Sequence, residues 1–249
     1  MDYFIKHGTA LSVAVGTEAK PEISRWASWG HGDLQQSFIL HTADGPLITD
    51  PVIPAHSPAL QAIKARAGKV AGIVSLSSLH ERDLAAAGKR YRAPIYGPDT
   101  VSKTTRYGRQ IENFYQDGET LPGGVQALYS GDENGEMWLY WKTPSGIGVL
   151  INADTIYGQT RQGDMGGKPV SYWMQEGGIR LRATGKVDKR ALRKRYEKLD
   201  GLDIDLVLNG HNSLPLEGDP KETIETVLAK GTYEVHESGR STFVYMDLR

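Results

Sequence analysis

The chain has 249 residues, 39% hydrophobic and 24% charged, the composition of an ordinary water-soluble globular protein with room for a sizeable core. Twenty-nine Lys+Arg against 30 Asp+Glu leave a net charge of -1, so no global field draws it to nucleic acid or an anionic membrane, and neither partner is expected. Cysteine is absent, which excludes disulfides, thiolate zinc sites, iron–sulfur ligation and a cysteine nucleophile together, and suits a reducing compartment. The opening Met1-Asp2-Tyr3-Phe4-Ile5-Lys6-His7 carries an acid and no long apolar core, unlike a signal peptide. No apolar run approaches the ~20 residues that span a bilayer, and a cytoplasmic location is the expectation.

Strands are predicted at Leu11 to Val15 and Ser37 to His41, followed by an Asp44-Gly45 hairpin turn and a return strand, Pro46 to Asp50. Ser57-Pro58 opens a helix with Leu60, Ile63 and Ala67 on one face, and Gly68 ends it. Val70 to Leu76 is apolar without alternation, as in a strand covered on both faces. A Ser-Ser turn, a helix from about Leu79 to Gly88 and a short strand at Pro94 to Gly97 follow it. Strands are next predicted at Val125–Tyr129, Glu136–Lys142 and Gly148–Asn152. Met137, Leu139 and Trp141 share one face of the second of these strands, and Trp138 and Tyr140 share the other, so that sheet is expected to be buried from both sides.

The glycine-rich segment from Tyr157 to Lys186 reads as a long irregular flap or binding loop. Gly166-Gly167 and Gly177-Gly178 bracket Tyr172-Trp173-Met174, which suits either a hinged aromatic cover over substrate or a homodimer contact. A cationic helix over about Val187 to Leu199, a buried strand at Ile204 to Leu208, a helix from Pro220 to Lys230 and a strand at Ser241 to Met246 complete the chain. The basic helix reads as a solvated face, with an anion-binding edge as the alternative. No repeat or linker interrupts residues 1–249, so one domain carrying a flap at about 157–186 is expected.

Without thiolate, metal chemistry falls to histidine and carboxylate. His80, with Glu81 and Asp83, follows the Val70–Leu76 strand; Asp154 follows Gly148–Asn152; His211 follows Ile204–Leu208; Asp132 sits in a turn between strands. Sites gather where strand ends open into loops, because the rigid backbone there holds ligands in place. Imidazole with carboxylate at such an edge suits zinc, iron or manganese. Each residue also has a plainer reading, as a helix-start, turn or cap residue. Trp26, Trp29 and His31 could line a pocket mouth or form a packing cluster.

In order, these landmarks resemble the metallo-β-lactamase fold superfamily in a divergent form. They are Ile48-Thr49-Asp50, the segment Gly72 to Asp83 at the place of the HxHxDH motif, Ser130-Gly131-Asp132 before a strand, Val149 to Asp154, and Val207-Leu208-Asn209-Gly210-His211-Asn212. The resemblance spans about residues 36 to 215 and implies an α/β fold, an αββα sandwich of two mixed sheets packed face to face with helices outside. The motif departs from the pattern. In one register Ser78 and His80 take the two HxH positions and Arg82-Asp83 replaces Asp-His; in a register shifted by one, Glu81-Arg82-Asp83 resembles an ExD motif.

The resemblance implies one divalent metal ion, zinc foremost with iron or manganese as alternatives, on some of His80, Asp132, Asp154 and His211. Asp83 or Glu81 would add a ligand or a general base, Asp83 orienting the water or passing its proton to the leaving group. Trp29, His31 and Trp173 would meet a small-molecule substrate. The activity implied is hydrolysis of an ester, lactone, thioester or amide by metal-activated water. The alternatives are a degenerate, non-hydrolytic binding protein on the same fold and an iron-dependent redox enzyme, the latter resting on the ExD register.

Overall fold

The β-branched and aromatic runs of the first half pair into one sheet whose order in space is the order of the sequence. The computed structural model describes residues 10–30, 33–54, 57–131, 135–157, 178–182, 189–211, 216–218, 220–230, 234–238 and 241–247. The strands of this sheet are β1 (Ala10–Gly16), β2 (Pro21–Gly30), β3 (Asp33–Leu40), β4 (Leu47–Thr49), β5 (Gly72–Val74), β6 (Ile95–Pro98) and β7 (Asn113–Tyr115). Pairing is antiparallel from β1 to β4 and parallel from β4 to β7. The change has a local cause. Gly45, at φ +112°, helps reverse the chain between β3 and β4, whereas parallel neighbours need crossovers, supplied by helix α1 (Ser57–Ala67) between β4 and β5 and by α2 (Leu84–Tyr91) between β5 and β6.

The second sheet runs β15 (Leu216–Glu217), β14 (Leu206–Asn209), β11 (Gly148–Asn152), β10 (Met137–Lys142), β9 (Val125–Tyr129), β8 (Thr120–Leu121). Its β11–β14 pair is parallel and its other pairs are antiparallel, so it too is mixed. A third set joins β12 (Ile156–Tyr157), β13 (Gly178–Arg182), β17 (Ser241–Asp247) and β16 (Glu234–Ser238). Helices α3 (Lys189–Tyr196) and α4 (Pro220–Lys230) complete the described elements.

Alternation along the strands sorts the apolar side chains into three layers. Phe38, Leu47, Val74, Leu139, Trp141 and Ile151 meet between the two large sheets. Their strand neighbours Ile39, Ile48 and Ile73 face outward onto Ile63 of α1 and Leu84 and Ala87 of α2. On the far side Trp138, Leu150 and Val207 face Tyr196 of α3 and Ile224 of α4. This is the αββα sandwich, and β10 is buried on both faces as its aromatics require: the Trp138 ring stacks on Tyr196 at 5.3 Å.

Three sequence expectations change. Strand β2 is an element the expected order lacks; it pairs with β1 over residues 21–27 and with β3 over residues 23–30. The second helix begins at Leu84 instead of Leu79, because Arg82 takes a left-handed φ of +39° and the preceding turn is held by other bonds. The segment 157–186 is not irregular throughout: β12 pairs with β13 and β13 with β17, while residues 158–177 and 183–188 lie outside the described set. Among the described residues no helix is long and apolar enough to cross a membrane.

Candidate metal centre

Four parallel or mixed-sheet strands end on the same edge of the sandwich, and each delivers one chemically active residue. Asp50 follows β4, His80 lies in the loop after β5, Asp154 follows β11 and His211 follows β14. His80, Asp154 and His211 each offer a ligand atom, and these atoms all lie within 4.8 Å of one another. His211 Nε2 is 2.5 Å and His80 Nε2 is 3.4 Å from Asp154 Oδ1. The two imidazoles stand edge-on, with ring centroids 5.6 Å apart.

Asp50, the last residue of the first landmark of the resemblance, holds this group in order. Its Oδ2 lies 2.6 Å from His80 Nδ1, and its Oδ1 accepts the Leu76 N–H at 2.9 Å. A carboxylate on Nδ1 keeps the proton there and turns the Nε2 lone pair toward Asp154 and His211, the arrangement that orients a metal-ligating histidine. Asp50 itself sits at φ +41°, a conformation a non-glycine residue adopts only where its surroundings enforce it.

The loop carrying His80 is fastened from below. Ser77 accepts the His80 N–H at 3.1 Å through its carbonyl and the Leu79 N–H at 3.1 Å through its hydroxyl. The Tyr107 hydroxyl also reaches the Ser77 carbonyl, at 3.1 Å, and bonds the Ser75 hydroxyl; burial pushes that phenol up, so it remains protonated. Tyr115 donates to the Ser75 carbonyl at 2.6 Å.

Asp154 is placed by a residue that local sequence patterns did not mark. Glu136 is only 1% exposed, yet its carboxylate accepts the N–H groups of Ala153, Asp154 and Thr155 at 3.2, 2.9 and 3.3 Å and the Thr155 hydroxyl at 2.7 Å. A buried carboxylate is tolerable only when donors surround it in this way, and the cost of losing them fixes the loop. Asn209 does the same for His211: its Oδ1 accepts the His211 N–H at 2.8 Å, while its Nδ2 bonds Asn152 Oδ1 and the Ile156 carbonyl. Across the sandwich, the Gln36 N–H donates to the Gly210 carbonyl at 2.8 Å, tying the end of β14 to β3 of the other sheet.

Glu81 and Asp83, also expected at the site, are bonded elsewhere. Asp83 Oδ2 accepts the Ile53 N–H at 2.7 Å, which commits it to the loop before α1, and Glu81 Oε1 accepts the Gln110 side-chain amide at 2.6 Å. Neither belongs to the His80–Asp154–His211 group. Asp132, His31 and Trp173 lie outside the described residues, as does the side chain of Trp29, whose backbone pairs with Leu34 in β2.

Fold and site together define a class: an αββα sandwich with a histidine–carboxylate group at its strand ends. No family model and no curated protein matches the sequence. Solved structures do match in shape. The DIM-1 metallo-β-lactamase superposes with a TM-score of 0.61 at 11% identity, over 90% of this chain and 100% of that one. The metallo-β-lactamase from Pontibacter korlensis gives 0.55 at 14% identity over 88% and 98%, and that from Hirschia baltica 0.54 at 12% over 84% and 92%. The chain has the metallo-β-lactamase fold, at identities that speak for the fold alone.

Proposed function

We propose that the protein is a metal-dependent hydrolase in which His80, Asp154 and His211 hold one divalent ion, zinc first, with iron or manganese as alternatives. The observation that carries this reading is the convergence of two imidazole nitrogens and a carboxylate oxygen within 4.8 Å, with Asp50 already on the far nitrogen of His80. The donor set fits such an ion: two borderline nitrogen ligands and one oxygen are within zinc's range, and three protein ligands leave a coordination position open. Bound there, the ion would supply Lewis acidity, lowering the pKa of a water toward ~7 and polarising a substrate carbonyl.

The remaining work belongs to the chain. Asp50 keeps the proton on His80 Nδ1, so Nε2 stays available as a ligand. Glu136 fixes the Asp154 backbone, and Asn209 with Gln36 fixes the His211 turn, so the three ligands are preorganised by bonds that do not depend on the ion. Gly210 permits the close approach of that turn: a Cβ there would stand 3.0 Å from the Ala153 carbonyl and 3.1 Å from His80 Cε1.

The substrate class this chemistry serves is a small molecule with an activated carbonyl: an ester, lactone, thioester or amide. The β-lactams belong in the same screen because the shape neighbours are named for them. Zinc-loaded protein should turn over at least one member of such a panel, and Asp154→Ala and His211→Ala should each abolish that turnover with the far-ultraviolet circular dichroism unchanged. If both variants keep full turnover, the site is wrongly assigned. A protein that takes up no metal and hydrolyses nothing would instead be a binding protein on this fold.

A further inference from the structure

The motif reading left Arg82 without a role, and the structure puts its guanidinium directly beside the proposed metal group. Arg82 is 8% exposed. Its Nη1 donates to the carbonyls of Gln36 and Asp50 at 2.8 and 2.9 Å, and its Nη2 to the Gly210 carbonyl at 2.9 Å. Those carbonyls belong to β3, to the residue that holds His80, and to the residue before His211. The point where a Gly210 Cβ would lie is 3.1 Å from His80 Cε1 and 3.3 Å from Arg82 Nη2, so the guanidinium and the imidazole approach Gly210 from the same side.

A guanidinium has five donors, no acceptor and a permanent charge. It cannot ligate a cation, and buried among carbonyls it is poorly screened by salt. Its three bonds to backbone, together with the left-handed turn at Arg82 itself, φ +39°, keep it from swinging away. Among the described residues, Asp154 contacts both imidazoles, Asp50 bonds His80 and Leu76, and Glu136 bonds the Ala153–Thr155 donors.

We infer that Arg82 is the protein's own fixed cation at this site and restricts it to a single divalent ion. The inference rests on the hydrolase reading above, since it concerns how many ions that site accepts. It assigns Arg82 a positioning role, setting the metal count through its charge and clasping the loops of both sheets around the ligands.

Zinc uptake at saturation, measured by equilibrium dialysis and elemental analysis, tests it. Wild-type protein should level off at about one equivalent, and Arg82→Asp, which replaces the cation by a ligand, at about two. If Arg82→Asp does not fold, the neutral Arg82→Gln decides, with a second, weaker equivalent expected. A clasp with only a structural role would change stability and leave the count at one. Two equivalents in the wild type, or one in the folded variants, would overturn the inference and leave the hydrolase reading standing. No uptake by the wild type would remove both.

Discussion

The Asp50 carboxylate and the His80 imidazole, 30 residues apart in sequence, meet at 2.6 Å across the ends of adjacent parallel strands, and that contact decides which histidine nitrogen faces the metal group. Asp50→Asn keeps the shape but replaces a charge-assisted bond by a neutral one. Metal affinity should fall by roughly 10–100-fold, as measured by competition with a chelator, with the fold intact. Unchanged affinity would show that Asp50 is not the orienting partner.

Glu136 should be as sensitive as a ligand although it touches none of the bound chemistry. Glu136→Gln turns an amide donor toward N–H groups that need an acceptor, and should cost about 1–3 kcal/mol in urea denaturation. The same variant should weaken metal binding, because the Asp154 backbone N–H is one of the donors released.

Thr155 links the core to this loop. Its Oγ1 accepts the Trp138 indole N–H at 2.7 Å and donates to Glu136 at 2.7 Å. Thr155→Val strands a buried indole donor and removes one carboxylate partner, with an expected loss of about 1–3 kcal/mol. Trp138→Ala, which also empties the space against Tyr196, should lose about 3–5 kcal/mol. Denaturant midpoints that do not move in either variant would contradict this linkage.

His41 predicts an acid limb unrelated to the metal group. Its ring bonds Ser24 Oγ at 3.0 Å, and burial, then the nearby Arg66 charge, hold its pKa below the ordinary 6.5. A lowered folded pKa means the unfolded chain takes up the proton first. The contribution of His41 is therefore intact above 6.5, declines as pH falls from 6.5 toward the folded pKa, and declines no further below it. His41→Gln should flatten stability as pH falls below 6.5, compared by urea titration at each pH; an identical slope in both proteins would remove His41 as the cause.

Much of this architecture can be read from the sequence, and the exceptions share a physical cause. The strands of apolar type, the Asp44-Gly45 hairpin and the doubly buried β10 follow from composition and period, which are local properties. Strand β2 is hidden because its buried positions include the polar Glu22, Ser24 and Ser28, with Ser145 on Glu22 and His41 on Ser24 reaching them from outside the strand. His80, Asp154 and His211 are marked by their place at strand ends, and the structure brings them together. Asp50 and Arg82 are marked only by the family resemblance, with no role attached, and Glu136 only as a strand start, because their importance lies in contacts made 17 to 128 residues away. Glu81 and Asp83 show the converse: they adjoin His80 in sequence, but the left-handed turn at Arg82 sends their carboxylates to Gln110 and Ile53.

The most direct test of the central claim is a calorimetric zinc titration of chelator-treated protein, repeated with His80→Ala, Asp154→Ala and His211→Ala. The account predicts about one tight equivalent in the wild type, lost or greatly weakened in each variant while thermal unfolding of the metal-free proteins stays cooperative. Zinc binding that survives all three substitutions, or a wild-type protein that binds none, would contradict it.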